Sequence, residues 1–246
     1  MKIGVVSYYR YPLEKILTMG LPELRQLSLP YNVDRDLTFE EITHILRCCD
    51  ALWLHSGDPK HPHAELTSGK CSNGFVDVLR MLKHTNLCLL FADQLLRRFR
   101  AKFPKTNVGL VIGSDHAGAT LSFAVAALLR ARHDFTSKGP DRKQIWQRFA
   151  IQPDEPILQV EELITTTSTL QAVREGIRSG NQNPVSFVPA ILTLVHRSDI
   201  YKFDGDPILH LAHYNIATWS PAKCPLCAVG SKRFKLKTNW AELTAP

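Results

Sequence analysis

Two glutamates stand side by side at Glu161 and Glu162, and a run of hydroxyl side chains follows them: Thr165, Thr166, Thr167, Ser168 and Thr169. Adjacent carboxylates do not suit a phosphate, because like charges repel. They suit neutral hydroxyls, such as the 2′- and 3′-OH of a ribose, or positive charge that develops in a transition state. The hydroxyl run suits the opposite partner. At the start of a helix it adds side-chain donors to free backbone N–H groups and to the positive end of the helix dipole, a combination that binds dianionic phosphate. The plainer alternative is a strand-to-helix turn with a threonine cap. Against it, two glutamates at a buried strand end each need a partner.

The elements that must hold such a site can be read on either side of it. Ile157 to Val160 predicts a strand, and Ser168 to Arg178 predicts a helix with Leu170, Val173 and Ile177 on one stripe. Upstream, Val108 to Ile112 predicts a buried strand, Gly113 to Gly118 a turn, and Ala119 to Arg130, apolar on nearly every face, a buried helix. A polar loop is expected over Arg132 to Lys143, a strand over Trp146 to Ala150 and a turn over Gln152 to Pro156. Val185 to Val195 and Ile208 to Ala212 predict two further strands. Nearer the N-terminus, Thr38 can cap a helix reaching Cys49, with Glu40 and Glu41 in its first turn. Gly57 to His63 reads as a turn. Asn86 to Lys102 reads as a helix whose Arg97, Arg98 and Arg100 favour the negative end of its dipole. Strands alternating with helices predict an α/β fold with an open, mainly parallel sheet and right-handed crossovers. In such sheets ligands sit outside the carboxyl ends of the strands.

Bulk properties narrow the choice. The chain has 246 residues, 44% apolar and 22% charged, which suits one large domain or a domain with an added subdomain. Leu121 to Leu129, the longest strongly apolar stretch, is too short to span a bilayer, and the N-terminus lacks a signal-type apolar core, so a cytoplasmic protein without a membrane partner is expected. The net charge of +7 is spread over separate clusters, Arg97 to Lys105 and Ser231 to Lys237, and no single Lys/Arg run dominates; aromatic and basic residues are not interleaved as on an RNA-binding sheet. That pattern fits a small phosphorylated molecule at least as well as a nucleic acid, and no nucleic-acid partner is expected. The six cysteines are expected to be reduced. Cys224-Pro-Leu-Cys227 is a lone CxxC, and a zinc site usually needs four ligands. His210 and His213 lie near it in sequence and could complete a site; the preferred reading is a turn with free thiols.

The segment from Ile157 resembles the phosphoribosyl pyrophosphate (PRPP) signature of type I phosphoribosyltransferases: an apolar strand, two acidic residues, two variable apolar residues, then a Thr/Gly/Ser loop. By that resemblance Glu161 and Glu162 take the ribose hydroxyls, and Thr165 to Thr169 take the 5′-phosphate. The family usually has an Asp in the acidic pair and Gly where Thr167 stands, so a reshaped cradle is expected. Pro62 to Phe75 resembles the hood segment of orotate phosphoribosyltransferases, which implies that Ser68, Gly69 and Lys70 lie near the base or pyrophosphate and that Phe75 contacts the base. Taken alone, Ser68-Gly69-Lys70 is only a turn. Gly113-Ser114-Asp115-His116-Ala-Gly118 resembles the family's pyrophosphate loop, with a tight turn as the alternative; it fails as a Walker A sequence, because Ala119 stands where Lys is required. Lys138, Arg142 and Lys143 lie where the orotate enzymes carry a mobile basic loop, although the motif itself is missing and any exposed polar loop could look the same. Trp219 to Gly230 resembles the tail of some related sequences.

The resemblance implies a type I phosphoribosyltransferase-like fold with an N-terminal hood over residues 1–85, a core over 86–220 and a CxxC-containing tail over 221–246. It implies PRPP and a nucleobase, with orotate foremost, as substrates of a transferase. Mg²⁺, bound through PRPP, is the implied cofactor, and a homodimer the implied assembly. The alternative is a non-catalytic, regulatory PRPP- or nucleotide-binding protein on the same fold.

Overall fold

A sheet of six strands forms the centre of the chain, in a computed structural model that describes residues 13–27, 35–140, 143–236 and 238–244. In chain order the elements are α1 (Leu21–Leu24), α2 (Phe39–Cys48), β1 (Leu52–Leu54), β2 (His63–Glu65), β3 (Cys71–Ser72), β4 (Gly74–Val76), α3 (Leu79–Leu82), α4 (Thr85–Lys102), β5 (Leu110–Gly113), α5 (Ala117–Leu129), β6 (Arg132–Phe135), β7 (Ser137–Lys138) and β8 (Gln144–Ile145). They continue with β9 (Ile157–Ile164), α6 (Ser168–Gly180), β10 (Phe187–His196), β11 (Lys202–Phe203), β12 (Asp206–His213), β13 (Thr218–Trp219), α7 (Pro225–Ala228), β14 (Arg233–Lys235) and α8 (Trp240–Thr244).

The large sheet runs β11-β12-β10-β9-β5-β6, parallel throughout except for β11 at its edge. Its inner strands are apolar on both faces, as a sheet covered by helices on both sides requires. Leu158, Val160, Leu192 and Leu194 share a buried cluster with Leu95, Phe99, Leu121 and Val125 of α4 and α5. On the other face Ile157, Leu110 and Ile112 meet Val173 and Ile177 of α6. This is the expected α/β architecture, and α2 begins as its residues predict: the Thr38 side chain accepts from Glu41 N–H while the Glu41 carboxylate accepts from Thr38 N–H.

Several boundaries differ from the sequence reading. Arg132 to Phe135, expected within a polar loop, is the edge strand β6; its ladder to β5 is a backbone property, and only Asp134 of its side chains is buried, so no apolar alternation announces it. The strand expected at Trp146 to Ala150 is instead β8, Gln144–Ile145. Trp146 follows it, buried against α6. The α5 helix is not buried all round, since Phe123 and Leu128 are exposed on its outer side. Strand β9 also runs four residues further than expected, through the glutamate pair. No helix among the described residues is long and apolar enough to cross a membrane.

A second sheet of four very short strands, β13-β3-β2-β14, carries the hood segment. Strand β14 pairs in parallel with β2. Residues 233–235, within the stretch expected as a C-terminal tail, thus join the sheet that carries the hood segment.

Candidate active site

The strand ends of β5 and β9 are neighbours in the sheet, so the loops that follow them lie side by side. After β5 comes the Gly113–Gly118 turn, and after β9 the Thr165–Thr167 turn. A Cβ on Gly118 would fall 2.7 Å from Ser114 Oγ, 3.0 Å from Glu161 Oε2 and 3.4 Å from Glu162 Oε2. The acidic pair therefore sits directly against the first loop, and only glycine permits that approach. A Cβ on Gly113 would strike the Gly118 carbonyl at 2.3 Å. His116 closes the turn at φ 60° and ψ −103°, a left-handed conformation that a side chain adopts only under constraint.

The two glutamates are not equivalent. Glu161 is fully buried, and Ser114 Oγ donates to its Oε2 at 2.6 Å, while its Oε1 has no hydrogen-bond partner. Burial, reinforced by the neighbouring Glu162 charge, pushes the Glu161 carboxyl up to about 8. It is therefore largely a neutral acid near pH 7. Glu162 is half-exposed; its carboxyl is raised too, by burial and by Asp115.

The hydroxyl loop is open. Thr165, Thr166, Ser168 and Thr169 are exposed, and Thr167 is half-exposed. Thr166 and Ser168 hydroxyls pair at 2.8 Å, and no side chain caps α6, so its first N–H groups remain available to a ligand. Thr167 takes φ −84°, an ordinary conformation for a β-branched residue, so the turn at this position does not require glycine.

Lys138 and Lys143 are exposed on the β7–β8 hairpin, and Arg142 lies outside the described residues. The expected mobile loop is tied down at its base. The Gln144 carbonyl lies where a Cβ on Gly176 of α6 would collide at 2.2 Å, and the Gln144 side chain links Thr136 Oγ1, at 2.8 Å, to Asp115 Oδ1, at 3.4 Å. Asp115 is also 3.8 Å from His116. Loop, hairpin and acidic pair thus form one connected site.

The hood residues are placed differently. Ser68, Gly69 and Lys70 form the exposed turn between β2 and β3, with Gly69 at φ 76°. Phe75, expected against a base, packs its ring on Trp240 at 5.8 Å, beside a small cluster of Trp53, Ala64, Leu236 and Leu243. Its partner comes from the far end of the chain, which no local pattern reveals. His210 and His213 are not companions of Cys224 and Cys227. They lie on β12, in a ring cluster with His196 and Tyr201. The residues that do meet the CxxC pair are His63 and Cys71, and neither stands at a ligand spacing that the sequence discloses.

No family model matches the chain. Among curated proteins, it is 31% identical over 169 residues to the orotate phosphoribosyltransferase of Desulforamulus reducens, covering 68% of this chain and 84% of that protein. It is 27% identical to the orotate phosphoribosyltransferase of Carboxydothermus hydrogenoformans, covering 68% of this chain and 85% of that protein. Among solved structures, the orotate phosphoribosyltransferase of Aeropyrum pernix superposes with a TM-score of 0.50 at 18% identity, over 70% of this chain and 93% of that one.

Proposed function

The chain belongs to the orotate phosphoribosyltransferase family, and from that premise we propose that it transfers ribose 5-phosphate from PRPP to a nucleobase, with orotate as the base. One observation supports this reading: two turns suited to anions, at the ends of the neighbouring strands β5 and β9, flank the Glu161–Glu162 pair. PRPP has the same order of charge, with a phosphate, an uncharged diol and a pyrophosphate.

In the reaction a base nitrogen forms a bond to C1′ while the C1′–oxygen bond to pyrophosphate breaks, leaving positive character on the ribose ring. Little covalent help from the protein is needed; positioning and electrostatics supply most of the rate. Thr165 to Thr169 and the α6 amides hold the 5′-phosphate. Glu162, the more exposed acid, receives the ribose hydroxyls and favours charge on the ring. Glu161 acts as a positioning residue, because its contact with Ser114 fixes the pyrophosphate turn. Lys138 and Lys143, with Arg142, neutralise the departing pyrophosphate.

The donor set suits Mg²⁺, which takes oxygen ligands: Asp115 and Glu162 lie close enough for the Asp115 charge to raise the Glu162 carboxyl, and Glu161 Oε1 is buried without a partner. Asp115 and Glu162 would hold the ion alongside PRPP oxygens. When bound it would supply charge neutralisation at the pyrophosphate. A homodimer is part of the same proposal; sedimentation showing only monomers would remove it.

Pyrophosphate release with PRPP, Mg²⁺ and a panel of bases tests the reading. Turnover should be greatest with orotate, and Glu162→Gln should lower kcat/KM about 100-fold with little change in melting temperature. A second reading, a non-catalytic PRPP- or nucleotide-binding protein, draws on the pairing of Ser114 with Glu161, which occupies one hydroxyl and one acid of the site. Thermal stabilisation by PRPP without turnover on any base would select it, and absence of stabilisation would overturn both.

A further inference from the structure

Four side chains converge in the hood: His63 of β2, Cys71 of β3, Cys224 immediately before α7 and Cys227 within it. One ligand atom from each lies within 4.8 Å of every other. We propose that these four residues bind a structural zinc ion.

The distances are those of a tetrahedron. Zn–S bonds near 2.3 Å and Zn–N bonds near 2.05 Å place neighbouring sulfurs roughly 3.8 Å apart and a sulfur and nitrogen roughly 3.6 Å apart. Cys71 Sγ is 3.7 Å from Cys227 Sγ. His63 Nε2 is 3.7 Å from Cys224 Sγ and 3.4 Å from Cys227 Sγ. Three thiols gathered around one imidazole nitrogen have little reason to approach so closely in an apolar cluster, since each is a weak hydrogen-bonding group. A thiophilic divalent cation supplies the reason.

The imidazole is also held in the tautomer that a metal needs. Ser231 Oγ donates its one proton to the His61 carbonyl, at 2.7 Å, so it must accept from His63 Nδ1–H, at 2.9 Å. That leaves Nε2 unprotonated, its lone pair directed at the Cys224 and Cys227 sulfurs. A hydrogen bond of this kind on the outer nitrogen is how proteins orient metal-binding histidines. The Leu226 and Cys227 amides point at the Cys224 sulfur. His63 and Cys71 are fully buried and Cys224 nearly so. Four protein ligands complete the coordination sphere, so the ion has no open position for catalysis. Its role is to fasten the C-terminal segment to the β2–β3 hairpin, across 156 residues of chain between Cys71 and Cys227.

The test uses the full chain, with Zn²⁺ as the probe and Co²⁺ as its spectroscopic stand-in. Protein prepared with Zn²⁺ should carry one equivalent, and Co²⁺ should give thiolate charge-transfer absorption with intense tetrahedral d–d bands. Cys71→Ser and Cys227→Ser should lose the ion, whereas Cys88→Ser, buried elsewhere, should keep it. Chelation should lower the melting temperature by roughly 10 °C, reversibly on adding Zn²⁺. Should the serine variants fail to fold, His63→Cys decides, because it should retain the ion and shift the Co²⁺ spectrum toward that of a four-thiolate site. Absence of both stoichiometric Zn²⁺ and the Co²⁺ bands, a Cys71–Cys227 disulfide in place of metal, or Zn²⁺ retained unchanged in both serine variants would overturn the proposal.

Discussion

The six-stranded sheet and the four-stranded sheet of the hood are stabilised by different means. The six-stranded sheet has inner strands of up to ten residues with apolar side chains packed under helices on both faces. The four-stranded sheet of the hood has strands of two or three residues, and its own cluster contains only Trp53, Ala64, Leu236 and Leu243 as buried members. Apolar burial, at about 25 cal/mol per Å², is the main support of the first, and the second has far fewer buried apolar side chains. The core can therefore tolerate an unfavourable polar arrangement at its ligand site, while the hood depends on individual polar links between distant parts of the chain.

The largest expected effect tests the first half of that contrast. Glu161 has an ordinary carboxyl pKa of 4.5 when unfolded and about 8 in the fold. The folded state thus binds the extra proton. The stability tied to this group is fully present below pH 4.5 and is lost as pH rises toward 8. A carboxyl held that far above its ordinary value makes the loss of the order of several kcal/mol. Glu161→Gln removes the titrating group and keeps its shape. Urea midpoints of the apo protein should favour the Gln variant by a margin that widens between roughly pH 5 and pH 8. A margin that stays constant with pH would mean that the core does not bury a destabilising acid there.

The next effect concerns a polar link that the core does use. Arg174 is almost fully buried on α6, yet it donates to Gln159 Oε1 at 3.1 Å, Asp204 Oδ2 at 3.1 Å and Asp206 Oδ2 at 2.8 Å, and it lies over the Phe187 and Phe203 rings. Breaking a buried pair costs about 3–5 kcal/mol, and Asp204 is partly exposed, so the lower end applies. Arg174→Ala should lower stability by about 3 kcal/mol, seen as a fall of roughly 6–12 °C in melting temperature. A change of less than about 1 kcal/mol would show that apolar packing alone holds α6 against β11 and β12.

These two residues also mark what a single sequence discloses. The strand, acidic pair, hydroxyl loop and helix from Ile157 to Gly180 were legible because their chemistry and spacing are consecutive. Even there the inequality of Glu161 and Glu162 was hidden, since it arises from Ser114, 47 residues away in the chain. The Leu170–Val173–Ile177 stripe says nothing of Arg174, whose carboxylate partners arrive 30 and 32 residues later. Edge strand β6 carries no apolar alternation to announce it. The hood was least legible: Phe75 meets Trp240, and His63 meets Cys224, across most of the chain. Local periodicity reports which face of an element is buried, not which remote segment buries it.

The smallest effect isolates that dependence on remote links. Trp53 Nε1–H donates to the Leu243 carbonyl at 2.7 Å, tying β1 to α8 over 190 residues. Phenylalanine keeps most of the apolar contact and removes the donor, leaving a carbonyl that water can reach only if α8 lifts. The net value of such a bond is about 1 kcal/mol. Trp53→Phe should therefore change global stability by about that amount, within a few degrees of melting temperature. Hydrogen exchange should localise the change. Amides of α8 and β14 should lose protection several-fold, because a poorly packed unit opens on its own, while those of β9 and β10 keep theirs and affinity for PRPP is unchanged. Equal loss of protection in both sheets would mean that they open together, and the contrast between a self-sufficient core and a tethered hood would fail at its weakest link.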